Sequence, residues 1–152
     1  MESIYWIPVS SFVSKPSYKN LYGFGYDKSG DDYVVVVFSH VSIEANVVSS
    51  HLEFFSIIDN TWKEIEGNHF PYIGDHTSGL LFNEAIHWLA WHHYLDWGVI
   101  VAFDLMERKL FEIPLPNNVE HEVTSYPNSG LWVFGKFLSV WVPGCGSDTI
   151  EI

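Results

Sequence analysis

Three histidines, His87, His92 and His93, lie close together in the chain, and clustered imidazoles raise metal binding as the first chemistry to consider. No cysteine or carboxylate stands at a metal-ligand spacing beside them. On a strand His87 and His93 share one face and His92 the other, whereas a strand ending at Trp91 leaves the His92-His93 pair in a turn. Either arrangement predicts solvated loop histidines and no metal. General acid–base chemistry would draw on the carboxylate pairs Asp31 with Asp32, Glu64 with Glu66, and Glu120 with Glu122. Each pair falls in or beside a turn, where carboxylates are ordinarily solvated and cap backbone amides. Glycosidase-like hydrolysis needs two carboxyl groups across a sugar site, which no spacing here specifies.

Nucleophilic and phosphate chemistry find no framework either. There is no G-x-S-x-G elbow, and GFGYDKSG, from Gly23 to Gly30, lacks the third glycine and the following helix of a dinucleotide turn. Its glycines are expected to let the strand bend or lie close against a neighbour. Cys145 stands in a loop sequence, Pro143-Gly144-Cys145-Gly146-Ser147, with no basic neighbour to lower its pKa, and reads as a resting thiol. The expectation is a protein without catalytic residues, cofactor or metal.

Aromatic residues are the stronger signal. Of the seven tryptophans, Trp62, Trp88 and Trp132 fall where a core is expected, while Trp91 and Trp97 bracket the loop His92 to Asp96 and are expected to be exposed. Exposed aromatics on loops over a rigid β scaffold serve as recognition anchors. The candidate partner-binding residues are Tyr72, His76, Trp91, His92, His93, Tyr94 and Trp97, with Tyr72 to His76 and Ser39 to Ser50 as further partner-facing segments. A small carbohydrate-binding or hydrolytic propeller using the same His and Trp residues is the alternative from another class. A convergent pocket with buried carboxylates would mark it.

The elements that must position this loop come from an internal repeat. FFSIIDNTWKEI, from Phe54 to Ile65, and AFDLMERKLFEI, from Ala102 to Ile113, superpose without a gap at an offset of 48 residues. Each reads as apolar run, polar turn (Asp59-Asn60-Thr61 or Glu107-Arg108-Lys109) and apolar run, which is a hairpin. Between them GLLFNEAIHWLAW, from Gly79 to Trp91, and GLWVFGKFLSVW, from Gly130 to Trp141, form a second kind of hairpin at an offset of roughly 51, close to the kelch-type period of about 50. An earlier copy runs from Gly23 to Phe38 around Lys28-Ser29-Gly30-Asp31. Two hairpins per period make a four-stranded blade, and the chain holds roughly three periods, fewer than the four to eight that close a propeller. No stretch carries apolar residues at helical spacing for three turns. The fold class is therefore all-β, with antiparallel four-stranded blade-like sheets in an incomplete or irregular β-propeller-like, kelch-like architecture.

The chain has 152 residues, 47% of them hydrophobic and 17% aromatic, enough for one globular domain. One cysteine cannot form an intramolecular disulfide, and the first residues lack a signal peptide's basic start and apolar core, which fits a reducing, cytoplasmic or nuclear compartment. Apolar runs stop well short of the roughly 20 residues of a membrane helix. A net charge of −12 repels nucleic-acid phosphates and anionic lipid, so neither is an expected partner. The same field steers a basic protein toward the surface.

The order Trp6-Ile7-Pro8, YGFGYD (Tyr22 to Asp27), DYVVV (Asp32 to Val36), LEFFSIIDNTWKEI (Leu52 to Ile65), FNEAIHWLAW (Phe82 to Trp91) and VIVAFDLMERKLFEIPLP (Val99 to Pro116) resembles the F-box associated domain of plant F-box proteins, as in the F-box/kelch-repeat and S-locus F-box-like groups. The resemblance spans most of the chain. It implies a β-propeller-like domain that recognises a target protein, while a separate helical F-box binds the Skp1-like adaptor of a cullin-based (SCF) ubiquitin ligase. No segment here resembles that F-box, so target recognition without ligase recruitment is implied unless an F-box is supplied elsewhere. Three departures carry expectations. Trp6-Ile7-Pro8-Val9-Ser10-Ser11 lacks the family's polar turn residues and arginine, which weakens the case for a first strand there. Asn83-Glu84-Ala85 replaces Asn-Gly-Ala, and since a non-glycine residue at positive φ costs about 1 kcal/mol, a wider turn is expected. The family's later strands have no counterpart, so the chain reads as a single domain over residues 1–152 cut short at both ends, and a competing or inactive fragment of a longer protein is a further reading.

Overall fold

The structure is a computed structural model that describes residues 6–10, 17–44, 47–65, 72–73, 78–116, 129–141 and 150–151. All its regular elements are strands: β1 (Lys19–Asp27), β2 (Asp32–Glu44), β3 (Val47–Ser56), β4 (Thr61–Glu64), β5 (Tyr72–Ile73), β6 (Leu80–Phe82), β7 (Ala85–His92), β8 (Trp97–Asp104), β9 (Lys109–Pro114), β10 (Gly130–Phe134), β11 (Phe137–Trp141) and β12 (Ile150–Glu151). They form three antiparallel sheets, ordered β1-β2-β3-β4, β5-β7-β8-β9 with β6 also on β7, and β10-β11-β12. None closes into a barrel. Each sheet begins with the hairpin predicted for Gly23, Gly79 or Gly130, and in the first two the repeat at Phe54 and Ala102 adds the outer hairpin. The Ser39–Ser50 segment is mostly strand, continuing β2 and β3 up to their connection, because its Ser39 and His40 are buried among the apolar residues of the run.

One turn recurs. The connections Asp27 to Asp32, Ser56 to Thr61, His92 to Trp97 and Asp104 to Lys109 each hold four residues, the last of them left-handed: Asp31 (φ 49°), Asn60 (φ 52°), Asp96 (φ 61°) and Arg108 (φ 57°). In each the residue before the turn offers a side-chain acceptor to a turn amide. Asp27 Oδ1 takes Ser29 N–H (2.9 Å), Ser56 Oγ takes Asp59 N–H (3.1 Å), His92 Nδ1 takes Leu95 N–H (3.2 Å) and Asp104 Oδ1 takes Glu107 N–H (2.7 Å). These bonds satisfy amides that the strand ladder leaves over, which is why Asp, Ser and His stand at these positions. In the two repeat copies the turns begin two residues before the polar triplets, at Ile57 and Leu105.

The Asn83-Glu84 turn is tight, against the expectation of a wider one. Phe82 pairs directly with Ala85, and both turn residues are left-handed, Asn83 at φ 46° and Glu84 at φ 62°. That is the two-residue turn whose twist suits a hairpin. Leu105 N–H donates to the Glu84 carbonyl at 3.1 Å, tying the turn to the next hairpin of the same sheet and holding Glu84 where glycine would be easier.

The second sheet is covered on both faces. Against the first sheet it packs Ile86, Trp88, Ala90, Val99, Val101 and Phe103 on Leu21, Val34, Val36, Phe38, Leu52 and Phe54. Against the third it packs Leu89 and Ile100 with Leu80 and Phe82 on Leu138, Val140 and Leu131. Burial on both faces explains why β7 and β8 read as continuous apolar runs instead of alternating. Phe103, fully buried, contributes about 2–3 kcal/mol by area.

Trp88 shows what the glycines are for. Its Nε1–H donates to the Tyr22 carbonyl at 3.0 Å, and Gly79 N–H donates to the same oxygen. A Cβ on Gly23 would meet Ile86 Cγ2 at 2.4 Å, and one on Gly79 would meet Trp88 Cε2 at 2.7 Å. The close approach expected of GFG is thus real. Trp62 is partly buried, with its Nε1–H donating to the Pro8 carbonyl at 2.6 Å, so residues near Pro8 lie over the first sheet without forming a strand. Trp132, predicted as core, is 67% exposed, because it points to the outer side of the third sheet, where none of the sheets formed by the described residues covers it.

Candidate partner-binding surface

The β7–β8 hairpin carries most of the sequence-predicted site. Its two strands are buried on both sides of the second sheet, so the tip projects from a rigid base. The backbone places Tyr72 opposite His92 and Ile73 opposite Trp91, which brings Tyr72 beside the hairpin. His76 lies outside the described residues. Trp91, His92, His93, Tyr94 and Trp97 gather at one end of the second sheet.

Their exposure differs from the expectation. Trp91 faces Gly98 and Trp97 faces His92 across the hairpin, and both tryptophans are half-buried, because the strand pairing continues through them and neither stands in the turn. His92 is buried, with Nδ1 accepting from Leu95 N–H and Nε2 at 3.8 Å from Glu112 Oε1. An Nδ1 that accepts an amide proton carries none itself, so the neutral ring holds its proton on Nε2. His92 is thus a turn cap, the counterpart of Asp27, Ser56 and Asp104, and not a solvated loop histidine. His93, the first turn residue, is half-buried, its ring 5.2 Å from that of Tyr94.

What the tip presents to solvent is Tyr94, 59% exposed, and Leu95, 46% exposed, followed by exposed Asp96. Strand direction places the far end of β2 at this same end of the neighbouring sheet, and there Ile43 is 62% exposed. Sequence reading missed Leu95 and Ile43 as individual residues. The available signal was apolar side chains beyond the last buried position of their strands.

The chemistry-bearing residues elsewhere are occupied by structure. Asp32 is buried, where a solvated carboxylate was expected. It takes Ser56 Oγ–H at 2.6 Å and Ile58 N–H at 3.1 Å, joining β2 to the β3–β4 turn. Asp27 meets Arg108 Nη2 at 3.0 Å. Burial alone would raise its pKa, but bonds from Ser29 and Gly30 and the Arg108 charge outweigh that and hold it below the ordinary carboxylate value. Glu53, buried and bonded by Ser10 Oγ–H, is raised, first by burial and then by the nearby Glu64 charge. Glu64 is exposed, and Glu66, Glu120, Glu122 and Cys145 lie outside the described residues. Among the described residues no three His, Cys, Asp or Glu side chains come together as a metal site would need, and no helix is long and apolar enough to cross a membrane.

Comparison with known proteins adds one relationship to this geometry. The chain is similar to an F-box/kelch-repeat protein of Arabidopsis thaliana. The two are 29% identical over 99 residues, which cover 62% of this chain and 26% of that protein. The chain thus spans about a quarter of the length of the relative it matches. No family model and no solved structure matches. The likeness, with the all-β blade-like sheets, points to a kelch-like region and to a role in protein interaction.

Proposed function

We propose that this chain is a protein-interaction module, the target-recognising part of an F-box protein serving an SCF-type ubiquitin ligase in the cytoplasm or nucleus. The observation that carries the reading is the exposed apolar tip of the β7–β8 hairpin, Tyr94 and Leu95, standing on a sheet buried on both faces. Rigid support lowers the entropy lost on binding, and aromatic anchors dominate interface energies. The name of the Arabidopsis relative and the resemblance in motif order support the ligase context. Trp91, Trp97, His92 and His93 underpin the tip, the Tyr72 backbone pairs beside it, and Tyr94 is the contact residue. The mechanism is binding, with no covalent step. The target is a protein, and a charge of −12 favours a basic one. A Skp1-like adaptor is engaged only where an F-box is supplied.

The test is quantitative affinity capture from the source tissue with the wild-type chain and a Tyr94→Ala/Leu95→Ser variant of equal far-ultraviolet dichroism. A defined protein retained by the wild type and weakened about tenfold or more by the variant supports the reading. Equal retention by both would show that recognition lies elsewhere.

A further inference from the structure

The outer face of the third sheet and the β1–β2 end of the first sheet's outer face are both exposed, apolar and aromatic among the described residues, while the rest of the first sheet's outer face is covered near Pro8 and Ser10. Superposing the two-residue turns Asn83-Glu84 and Gly135-Lys136 lays Leu80, Phe82, His87 and Leu89 over Trp132, Phe134, Ser139 and Trp141. The first set is the side of the second sheet that packs on the third. No described residue packs over its counterpart on the third sheet: Trp132 is 67% exposed, Phe134 63% and Trp141 50%. Between these rings is a hollow of about 250 Å³ with Ser139 in its lining, 1% exposed, its Oγ without a hydrogen-bond partner among the described residues. A buried hydroxyl left unpaired is costly and is ordinarily satisfied by whatever fills the site.

At the opposite side of the stack, the β1–β2 end of the first sheet presents Tyr22, Phe24 and Tyr33, 40%, 56% and 49% exposed, with Phe24 stacked on Tyr33. We infer that the third sheet of one copy docks on this face of a second copy, which extends the sheet-on-sheet stacking already built twice within the chain. The proposal is separate from target binding, which uses the sheet ends. A tyrosine supplies both the ring that the hollow accepts and a hydroxyl for Ser139 Oγ.

Charge agrees with this register. Within the chain the first two sheets stack with their tight turns together, Lys28 Nζ at 3.7 Å from Glu84 Oε1. The same stacking brings Lys136, in the third sheet's turn, beside Asp31 in the second copy's first turn. The contact joins two different faces, so it is head-to-tail and leaves a free face at each end of a dimer.

Sedimentation velocity on the full chain and two paired substitutions decides it. One variant carries Trp132→Ser and Trp141→Ser, the other Phe24→Ser and Tyr33→Ser; all four residues are exposed, and unchanged dichroism checks the fold. The wild type is expected to associate beyond dimer as concentration rises. Each variant alone should stay monomeric, and an equal mixture of the two should give a one-to-one dimer and nothing larger, because each keeps the face the other lost. Lys136→Glu, which touches no packing, should weaken wild-type association about fivefold. A monomeric wild type, a Phe24→Ser/Tyr33→Ser variant that pairs with itself, or a mixture that stays monomeric would each overturn the proposal.

Discussion

Arg108 reaches out of the β8–β9 turn of the second sheet and places Nη2 3.0 Å from Asp27 Oδ2 on the first, with Asp32 Oδ2 at 3.7 Å. Its guanidinium also lies over the Phe54 ring, 4.9 Å from the centroid. One cation therefore spans two buried carboxylates and an aromatic face across the sheet interface. Arg108→Met should destabilise by about 2–4 kcal/mol, since both carboxylates lose their cation, although Asp27 keeps its turn bonds and the arginine is partly exposed. Urea denaturation measures it, and a loss under about 1 kcal/mol would show that the pair is screened like a surface bridge.

The left-handed Glu84 predicts a gain instead of a loss. Glu84→Gly should stabilise by about 1 kcal/mol, raising the melting temperature by about 2–4 °C, because glycine adopts φ 62° without the Cβ penalty. The exposed Lys28–Glu84 bridge it removes offsets little of that. A lower melting temperature would indicate that the carboxylate matters more than the backbone.

Gly23 has the opposite sensitivity. An added methyl would run into Ile86 and into the Trp88 ring, whose nearest atom lies at 2.8 Å, so Gly23→Ala should cost about 1–3 kcal/mol and redshift the tryptophan fluorescence as the indole is displaced. An unchanged spectrum with unchanged stability would contradict the close approach of the two sheets.

His87 sits between the second and third sheets, its ring 6.0 Å from that of Phe82. Burial pushes its pKa below the ordinary 6.5, outweighing the hydrogen bonds to backbone at Leu80 and Ala85 that favour the protonated ring. The unfolded chain thus takes up this proton before the folded one, so the associated stability is complete above pH 6.5 and declines as pH falls toward the lowered folded value. Between about pH 7.5 and about pH 5.5 the wild-type urea midpoint should fall more than that of His87→Leu, and parallel curves would remove His87 as the cause.

Much of the architecture was legible because a repeat fixes pairing without long-range information. Ser56 and Asp104, or Asn60 and Arg108, occupy equivalent corners, and their turns could be matched by inspection. Exposure was less legible. Trp88 and Trp132 look alike in their strands, yet Trp88 faces a neighbouring sheet and Trp132 faces none among the described residues, a difference set by sheet stacking and not by local pattern. His92 looked like a loop residue because its capping role depends on the turn's length, which period-2 alternation does not encode. Glu84 misled for the converse reason, since a bond from Leu105 holds a conformation that its own side chain disfavours.

The claim that the β7–β8 tip recognises another protein is tested most directly by placing a photoreactive phenylalanine analogue at Tyr94, and in parallel at Met106. Met106 is 58% exposed, much like Tyr94, but stands in the turn at the opposite end of β8. Irradiation in cells of the source organism should give a discrete covalent adduct with one partner protein from position 94 and none from position 106. Adducts of equal yield from both positions, or from 106 alone, would contradict it.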